Sequence, residues 1–396
     1  MSTYTTVVLA AGRGTRMRSH LPKVLHPIAG RPLIGHVLAA IAAMPRDVDV
    51  SSDPPVLVLG YGADQIRSLL GEGYRYVYQG ELLGTGHAVR QALDALRQQG
   101  ALPRAVLVLC GDTPLVTAQT LTALLRVHQE RRAALTLVTA IAPDPTGYGR
   151  IVRDSCGQVV GIREDRLCDD RERAITEINA GLYCFDAVWL ADHLSQLQPW
   201  AGGEYYLTDV VELAAREQRP IATIAASWEE ALGVNDRHQL AEAAAILRRR
   251  ILSEHLLGGV TIVDPATTYI DVDVVIGRDT IIAPCTTISS GTHIGAECII
   301  GPGSTIIAAR IGDRCVVSHA CLDHVELEAN YAVAPYSVLR APSGDGQTGT
   351  ADGLVSWPAS GKTQRGVQPL LVHPLWAWPQ RGEEQAPLQG SGAGKE

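Results

Sequence analysis

No two of the chain's eight cysteines stand in a Cys-x-x-Cys pair. That excludes a zinc ribbon. The scattered positions, Cys110, Cys156, Cys168 and Cys184 among them, fit free thiols in a reducing compartment better than a disulfide framework. No apolar run approaches the roughly 18 residues of a membrane-spanning helix, and the N-terminus has no signal-peptide pattern, so a cytoplasmic protein without a membrane partner is expected. Positive charge is in deficit: 34 Lys and Arg against 42 Asp and Glu leave a net charge of −8, which speaks against a nucleic-acid partner. Phenylalanine occurs once, at Phe185, and carries no functional implication. Two common phosphate-binding orders are also missing. The P-loop order Gly-x4-Gly-Lys-Ser/Thr does not occur, and Met17 stands where a dinucleotide fingerprint would need its third glycine.

What the chain does have is concentrated in residues 9–25, Leu-Ala-Ala-Gly-Arg-Gly-Thr-Arg-Met-Arg-Ser-His-Leu-Pro-Lys-Val-Leu. An apolar strand, Tyr4–Leu9, runs into a loop holding Gly12 and Gly14. Glycines let backbone N–H groups turn toward an anion and approach it closely. Arg13, Arg16, Arg18 and Lys23 add positive charge around the same spot, so the loop is a candidate phosphate site. Taken apart from the rest, a glycine pair and an arginine describe a solvated turn equally well.

With 396 residues and 46% apolar content, the chain is long enough for two domains with cores. Up to about residue 230, short β-branched strands (Tyr4–Leu9, Val56–Leu59, Tyr74–Tyr78, Ala105–Leu109, Leu135–Ala140) alternate with helical patterns (Leu33–Ala43, Ala63–Leu70, His87–Arg97, Thr117–Arg132). The alternation predicts an α/β domain with a mostly parallel sheet, Rossmann-like, over residues 1–232. Ligands of such sheets sit beyond the carboxyl ends of the strands. Residues 233–258 read as a linker helix. From Ile270 an aliphatic residue recurs about every six positions (Ile276, Ile282, Ile288, Ile294, Ile300, then Ile311 after a one-residue slip). That is the hexapeptide repeat of a β-helix, expected over residues 259–340. Residues 341–396, with Trp357, Trp376 and Trp378 among prolines and glycines, have no periodicity and are expected to form an irregular, disordered tail.

Several short motifs carry chemistry. Val106–Leu109 leads into Cys110-Gly111-Asp112, which places a carboxylate at the end of a central strand. Mg²⁺ prefers one or two carboxylates plus phosphate oxygens and water, so Asp112 is a candidate ligand. Gln79-Gly80-Glu81-Leu82-Leu83-Gly84-Thr85-Gly86-His87 offers an amide that can read a pyrimidine edge, with two glycines for a flat backbone approach. The plainer alternative is a strand-to-helix turn capped by Thr85. Thr146–Arg150, Glu164 and Glu177–Gly181 bring small and polar groups together, and Glu164 and Asn179 suit the hydroxyls of a hexose. Glu204–Asp209 could order a loop over a sugar. Asn235, in Gly233-Val234-Asn235, could complete a metal shell.

The Leu-x-Ala-Gly-x-Gly-Thr-Arg-Met…Pro-Lys pattern resembles the signature of sugar-1-phosphate nucleotidyltransferases. With "LGTGHAV", "GDTPL", "PTGYGRIVRD", "EINAGLYCFD", "GEYYLTDVVELA" and "GVNDRHQL" in order, residues 5–339 resemble the bacterial bifunctional N-acetylglucosamine-1-phosphate uridylyltransferase / glucosamine-1-phosphate acetyltransferase family. The resemblance implies a left-handed parallel β-helix and Mg²⁺-dependent formation of UDP-N-acetylglucosamine, a peptidoglycan precursor, from UTP and N-acetylglucosamine 1-phosphate. It implies nucleotide contacts at Leu9, Ala10, Ala11, Gly12, Gly14 and Gly111, and uracil contacts at Gln79, Gly84 and Thr85. Arg16 and Lys23 would stabilise the reacting phosphates, Asp112 and Asn235 hold Mg²⁺, and Gly149, Glu164 and Asn179 bind the sugar. β-helices of this type also associate as trimers.

The sequence departs from the family in two places. Cys110 stands where a tyrosine commonly precedes Gly-Asp, which implies a small change in packing near the nucleotide. Past Arg340, the histidine motif and the "NIGAGT" and "NYDG" segments of the acetyl-transfer site are missing, so acetyl transfer is expected to be absent. The alternative is a truncated or frame-shifted product. For the first domain, other readings are the same chemistry on glucose 1-phosphate or with dTTP, and a non-catalytic regulatory subunit, against which stand intact Arg16, Lys23, Asp112 and Asn235.

Overall fold

A computed structural model describes residues 4–45, 54–100, 102–200 and 202–341. The expected tail, apart from Ala341, lies outside them. The strands of the first domain's main sheet are β1 (Tyr4–Ala10), β2 (Val56–Leu59), β3 (Arg75–Tyr78), β4 (Ala105–Cys110), β5 (Leu135–Ile141), β6 (Arg150–Arg153), β7 (Val159–Arg163), β8 (Glu177–Asp186) and β9 (Ile221–Ala225). They form one sheet in the order β9-β5-β8-β4-β1-β2-β3, with β6 and β7 attached through β8. Strands β4, β1, β2 and β3 are parallel, as expected. Strand β8 is antiparallel to both neighbours. It was not legible as a strand because its residues carry the polar Glu-Ile-Asn-Ala-Gly run.

Side-chain alternation in β1 feeds both faces of the sheet. On one side Tyr4, Val8 and Ala10 pack with Ile34 and Val37 of α1 (Leu33–Ala42), Ile66 of α2 (Ala63–Leu70) and, past α3 (Thr85–Gln99), Leu121 and Leu124 of α4 (Ala118–Arg131). On the other, Val7 packs with Val89 and Leu93 of α3, and beyond the short α5 (Asp170–Arg173) with Leu190 of α6 (Ala187–Leu194) and Val211 of α7 (Asp209–Arg216). Burying each of these large side chains contributes about 1.5–3 kcal/mol, so the sheet is a rigid platform for the loops at its ends.

Helix α8 (Arg237–Leu257) is capped by Asp236, whose carboxylate accepts from Gln239 N–H. It leads into a parallel β-helix of two- and three-residue strands from Thr261–Ile262 to Val338–Arg340, in three sheets. Ile270 pairs with Ile288, Ile288 with Ile306, and Ile282 with Ile300, each a step of 18 residues, or three hexads. Ile294 to Ile311 and Ile300 to Val317 shorten to 17, which is the slip seen in the repeat. The aliphatic residues stack inside. The repeat's small residue has a physical cause: a Cβ on Gly277 would lie 2.5 Å from the backbone of Gly295 in the next coil, and one on Gly295 2.6 Å from that of Asp313.

Thr268, Thr280, Thr286 and Thr292 are buried in the coils, and Thr280 and Thr286 donate to the carbonyls of Gly295 and Ala283. All eight cysteines are free. Among the described residues no helix is long and apolar enough to cross a membrane.

Candidate active site

Register decides where the loops emerge. Ala10 pairs with Leu59, Leu59 with Tyr78, and Leu9 with Cys110. The segments that follow (Gly12 onward, Gln79 onward and Gly111-Asp112) therefore leave the sheet along one edge. Strand β8 runs back antiparallel to β4, pairing Tyr183 with Val108, and so brings its first residues, Glu177–Asn179, to the same edge.

The loop after β1 folds into a single turn at Thr15–Met17, flanked by left-handed residues Gly14 (φ 59) and Arg18 (φ 48). A Cβ on Gly14 would lie 2.6 Å from the Cβ of Lys23, so glycine there lets the lysine stem fold against the loop. A Cβ on Gly12 would meet nothing within 4 Å. No packing demand of the protein itself accounts for glycine at that position. Arg16 is exposed and has no partner among the described residues.

Lys23 sits behind Pro22 at the start of a one-turn helix, Lys23–Leu25. Its ammonium donates to Asp112 Oδ2 and, at 3.1 Å, to Asn235 Oδ1. Asp112 and Asn235 are held together by Val234 N–H donating to the Asp112 carbonyl. The Asn235 amide nitrogen faces the Gly233 carbonyl at 3.3 Å, which orients its oxygen toward the lysine. Two hard oxygens thus converge on one cationic group, and the pair is only partly exposed, at 14% and 20% for the Lys23 and Asp112 side chains. This donor set fits a small divalent ion that takes one carboxylate and one carbonyl from the protein and the rest from phosphate and water. Among the described residues no group of three or more His, Cys, Asp or Glu could hold a metal.

The Gln79 motif differs from expectation in its reasons. Gly84 (φ 92) and Gly86 do allow a close approach, but by the protein's own chain: their Cβ positions lie 2.6 and 3.1 Å from the Tyr205 carbonyl. Gly86 N–H donates to that carbonyl, and Tyr205 N–H to the Leu83 carbonyl. Thr85 does not cap α3, since Gly84 takes that place; its hydroxyl accepts from Leu207 N–H at 3.0 Å. The Glu204–Asp209 segment is thereby locked onto the Gln79 loop. It also reaches the sugar candidates, because Thr208 donates to Glu164 Oε1 at 2.8 Å. Burial raises the Glu164 pKa; the Thr208 hydrogen bond opposes this and nearby Asp209 adds to it.

Asn179 N–H donates to the Gly149 carbonyl at 2.9 Å. Its side-chain amide donates to the Tyr183 hydroxyl at 2.6 Å and its oxygen accepts from Gly181 N–H. The Asn179 side chain is thus held in place and keeps one amide hydrogen and one lone pair for a ligand. Cys110 Sγ faces the Gly181 carbonyl at 3.7 Å. Burial pushes its thiol pKa up to about 12, so it stays an uncharged packing group. Tyr183, Thr208 and His87 are parts of the site that sequence reasoning assigned no role. Only their presence inside the quoted motifs hinted at them.

A mostly parallel α/β sheet whose edge gathers a glycine–arginine loop, a lysine-bridged carboxylate–amide pair and the hydrogen-bonded polar residues Glu164 and Asn179, followed by a hexapeptide β-helix, defines a nucleotidyltransferase carrying a bacterial transferase repeat. The MobA-like NTP transferase domain matches residues 6–176, and the bacterial transferase hexapeptide (six repeats) matches residues 273–308. The chain is 44% identical over 339 residues to the bifunctional protein GlmU of Geobacillus sp. (strain WCH70), covering 85% of this chain and 72% of that one. It is 43% identical to the same protein of Brevibacillus brevis, covering 87% and 73%, and 44% identical to that of Enterococcus faecalis, covering 84% and 71%. The chain belongs to the GlmU family. It is a sugar-1-phosphate nucleotidyltransferase that forms UDP-N-acetylglucosamine and pyrophosphate from UTP and N-acetylglucosamine 1-phosphate.

Proposed function

We propose that the reaction runs at the strand edge just described, with Mg²⁺ as the divalent ion held by Asp112 and Asn235. The observation that carries this is the convergence of Asp112 Oδ2 and Asn235 Oδ1 on the Lys23 ammonium, beside the Gly12–Gly14 loop. An oxygen of the sugar phosphate attacks the α-phosphorus of UTP. A new P–O bond forms, the bond to the β-phosphate bridge breaks, and pyrophosphate leaves. The attacking phosphate is already ionised, so the protein needs no nucleophile or general base. Its work is to align two anions and neutralise them.

Lys23 and Arg16 supply positive charge where it develops in the transition state. Gln79, Gly84 and Thr85 hold the uracil, while Leu9, Ala10, Ala11, Gly12, Gly14 and Gly111 line the nucleotide. Gly149, Glu164 and Asn179 hold the sugar, Glu164 with the Thr208 hydroxyl already on one oxygen. When bound, Mg²⁺ supplies neutralisation of phosphate charge.

The test is pyrophosphate release from UTP and N-acetylglucosamine 1-phosphate, with and without Mg²⁺, alongside glucose 1-phosphate and dTTP. Turnover that is insensitive to removal of divalent ions would overturn the metal assignment. UTP as substrate supports a cytoplasmic location. The stacked repeats support a homotrimer through the β-helix, and a monomer in sedimentation would refute that.

A further inference from the structure

We propose that Tyr183 is a positioning residue of the sugar site, acting through Asn179, which it holds across a bulge in β8. The proposal rests on the placement of the sugar at Asn179. Asn179 pairs with Thr139 of β5 and Tyr183 with Leu137, so β8 advances four residues where β5 advances two. In an unbroken strand, residues four apart are separated by about 13 Å and their side chains do not meet. The bulge changes that. Gly181 sits inside it in the left-handed region, at φ +71, and the Asn179 side-chain nitrogen comes within 2.6 Å of the Tyr183 hydroxyl.

The two contacts pin the amide at both ends. A backbone N–H can only donate, so the Asn179 atom that meets Gly181 N–H at 3.1 Å is Oδ1. That contact settles which end of the amide faces the bulge, and by itself it leaves the side chain able to swing about one hydrogen bond. The second contact, from Nδ2 to the Tyr183 hydroxyl, stops the swing. Tyr183 is a firm post for it. The residue is 4% exposed, its ring stacks on Phe185 with centroids 5.5 Å apart, and its backbone pairs with Val108 of β4 as well as with β5. Burial pushes its pKa up, against the Asn179 hydrogen bond, so the phenol stays uncharged. Cys110 backs the bulge, with Sγ facing the Gly181 carbonyl at 3.7 Å. The remaining Nδ2 hydrogen and Oδ1 lone pair of Asn179 therefore keep one direction before the sugar arrives, and that preorganisation is what Tyr183 contributes.

The test is a pair of KM values, for N-acetylglucosamine 1-phosphate and for UTP, in Tyr183→Phe, Asn179→Ala and the double variant. Tyr183→Phe keeps the ring and the strand pairing and removes only the hydroxyl. KM for the sugar phosphate rises about three- to tenfold, the range of one hydrogen bond, carried by that KM rather than by kcat, and KM for UTP does not follow. In the Asn179→Ala background the same change adds nothing, because the group it positions is gone. An unchanged KM for the sugar phosphate in folded Tyr183→Phe, an equal rise in both KM values, or a full further rise on top of Asn179→Ala overturns the proposal.

Should Tyr183→Phe not fold, ¹⁵N relaxation of the Asn179 side-chain amide in the substrate-free wild-type protein decides, with its signal assigned by its loss in Asn179→Ala. A rigid amide supports the proposal, and an amide mobile on the nanosecond scale overturns it. Asn179→Ala with unchanged KM for the sugar phosphate would instead fault the placement of the sugar, and with it everything built on that placement.

Discussion

The two glycines of the phosphate loop make opposite predictions, although they stand two residues apart. Alanine at Gly14 must adopt φ near +59 and place its Cβ 2.6 Å from the Cβ of Lys23. The left-handed backbone costs about 1–2 kcal/mol. The clash is with the lysine stem rather than its flexible end, and overpacking of that kind costs about 1–3 kcal/mol. Gly14→Ala is therefore expected to lose about 2–5 kcal/mol of stability or to relieve the strain by displacing Lys23, and in either case turnover falls.

Alanine at Gly12 faces open space and a backbone outside the left-handed region. Its effect on folding is within about 1 kcal/mol, and stabilising where the unfolded chain loses freedom. If phosphates lie against the Gly12 backbone, the added methyl meets them instead. A cost of about 1–3 kcal/mol then appears as a roughly 5- to 150-fold fall in kcat/KM for UTP. Urea midpoints and pyrophosphate-release kinetics on both variants decide the matter. Gly12→Ala with wild-type kcat/KM for UTP would refute the claim that this stretch of backbone cradles the nucleotide.

Asp112→Ala and Lys23→Ala are each expected to lower kcat by about 10²-fold or more, the scale for removing one preorganised charge contact; near-wild-type pyrophosphate release by either variant would remove that residue from the mechanism. Glu164→Gln separates binding from stability. The folded pKa of Glu164 is raised, so the native state holds its proton more tightly than the unfolded chain, and the wild type loses stability as pH rises from the ordinary carboxylate range through the raised value. The glutamine variant, which can still accept from Thr208, should be the more stable one at neutral pH by urea titration, lose that advantage below about pH 4, where wild-type Glu164 is protonated in both states, and show a raised KM for the sugar phosphate. In a parallel assay with acetyl-CoA and glucosamine 1-phosphate the 396-residue chain should release no thiol, and release would show that residues after Arg340 supply an acetyl-transfer site unlike the family's.

Where local patterning dictates structure, the fold was legible from residues alone. The β-branched runs at β1, β2 and β4 are strands because they are buried on both faces, and the hexads at Ile270–Ile311 stack because one aliphatic residue per hexad fills the coil interior. Strand β8 was not legible, because its pairing with β4 and β5 is set by distant partners and its Asn179–Tyr183 irregularity interrupts any alternation. The same division holds at the site. Lys23, Asp112 and Asn235 were candidates by motif, but their meeting at one point depends on contacts spanning 89 and 212 residues. Gly84 and Gly86 also make room for the Tyr205 carbonyl, a neighbour more than a hundred residues away that no local pattern names.

Those long contacts explain why the β-helix cannot be treated as a mere appendage of the transferase domain. Lys23 is followed by a two-strand hairpin, Pro27–Ile28 with Arg31–Pro32. The Ala29 carbonyl at its tip accepts from Val272 N–H. The tip glycine, Gly30 (φ +80), lies so close to the coils that a Cβ there would be 2.1 Å from Ser290 Oγ and 2.7 Å from Asp271. Helix α8 packs Ala243 and Ile246 with Ile28 of the hairpin and adds two donors: Arg237 Nε donates to the Met17 carbonyl of the phosphate loop, and Arg250 Nη1 to the Leu115 carbonyl just past Asp112. Arg248 stacks over Tyr269 at 4.6 Å, and Ile251 and Leu252 join the β-helix core. The loop carrying Lys23 and the strand end carrying Asp112 are thus both anchored to α8, and the hairpin after Lys23 also rests on the first coils. A site that works by preorganised charge depends on holding those groups still, and the coils supply part of the rigidity that the loops themselves lack.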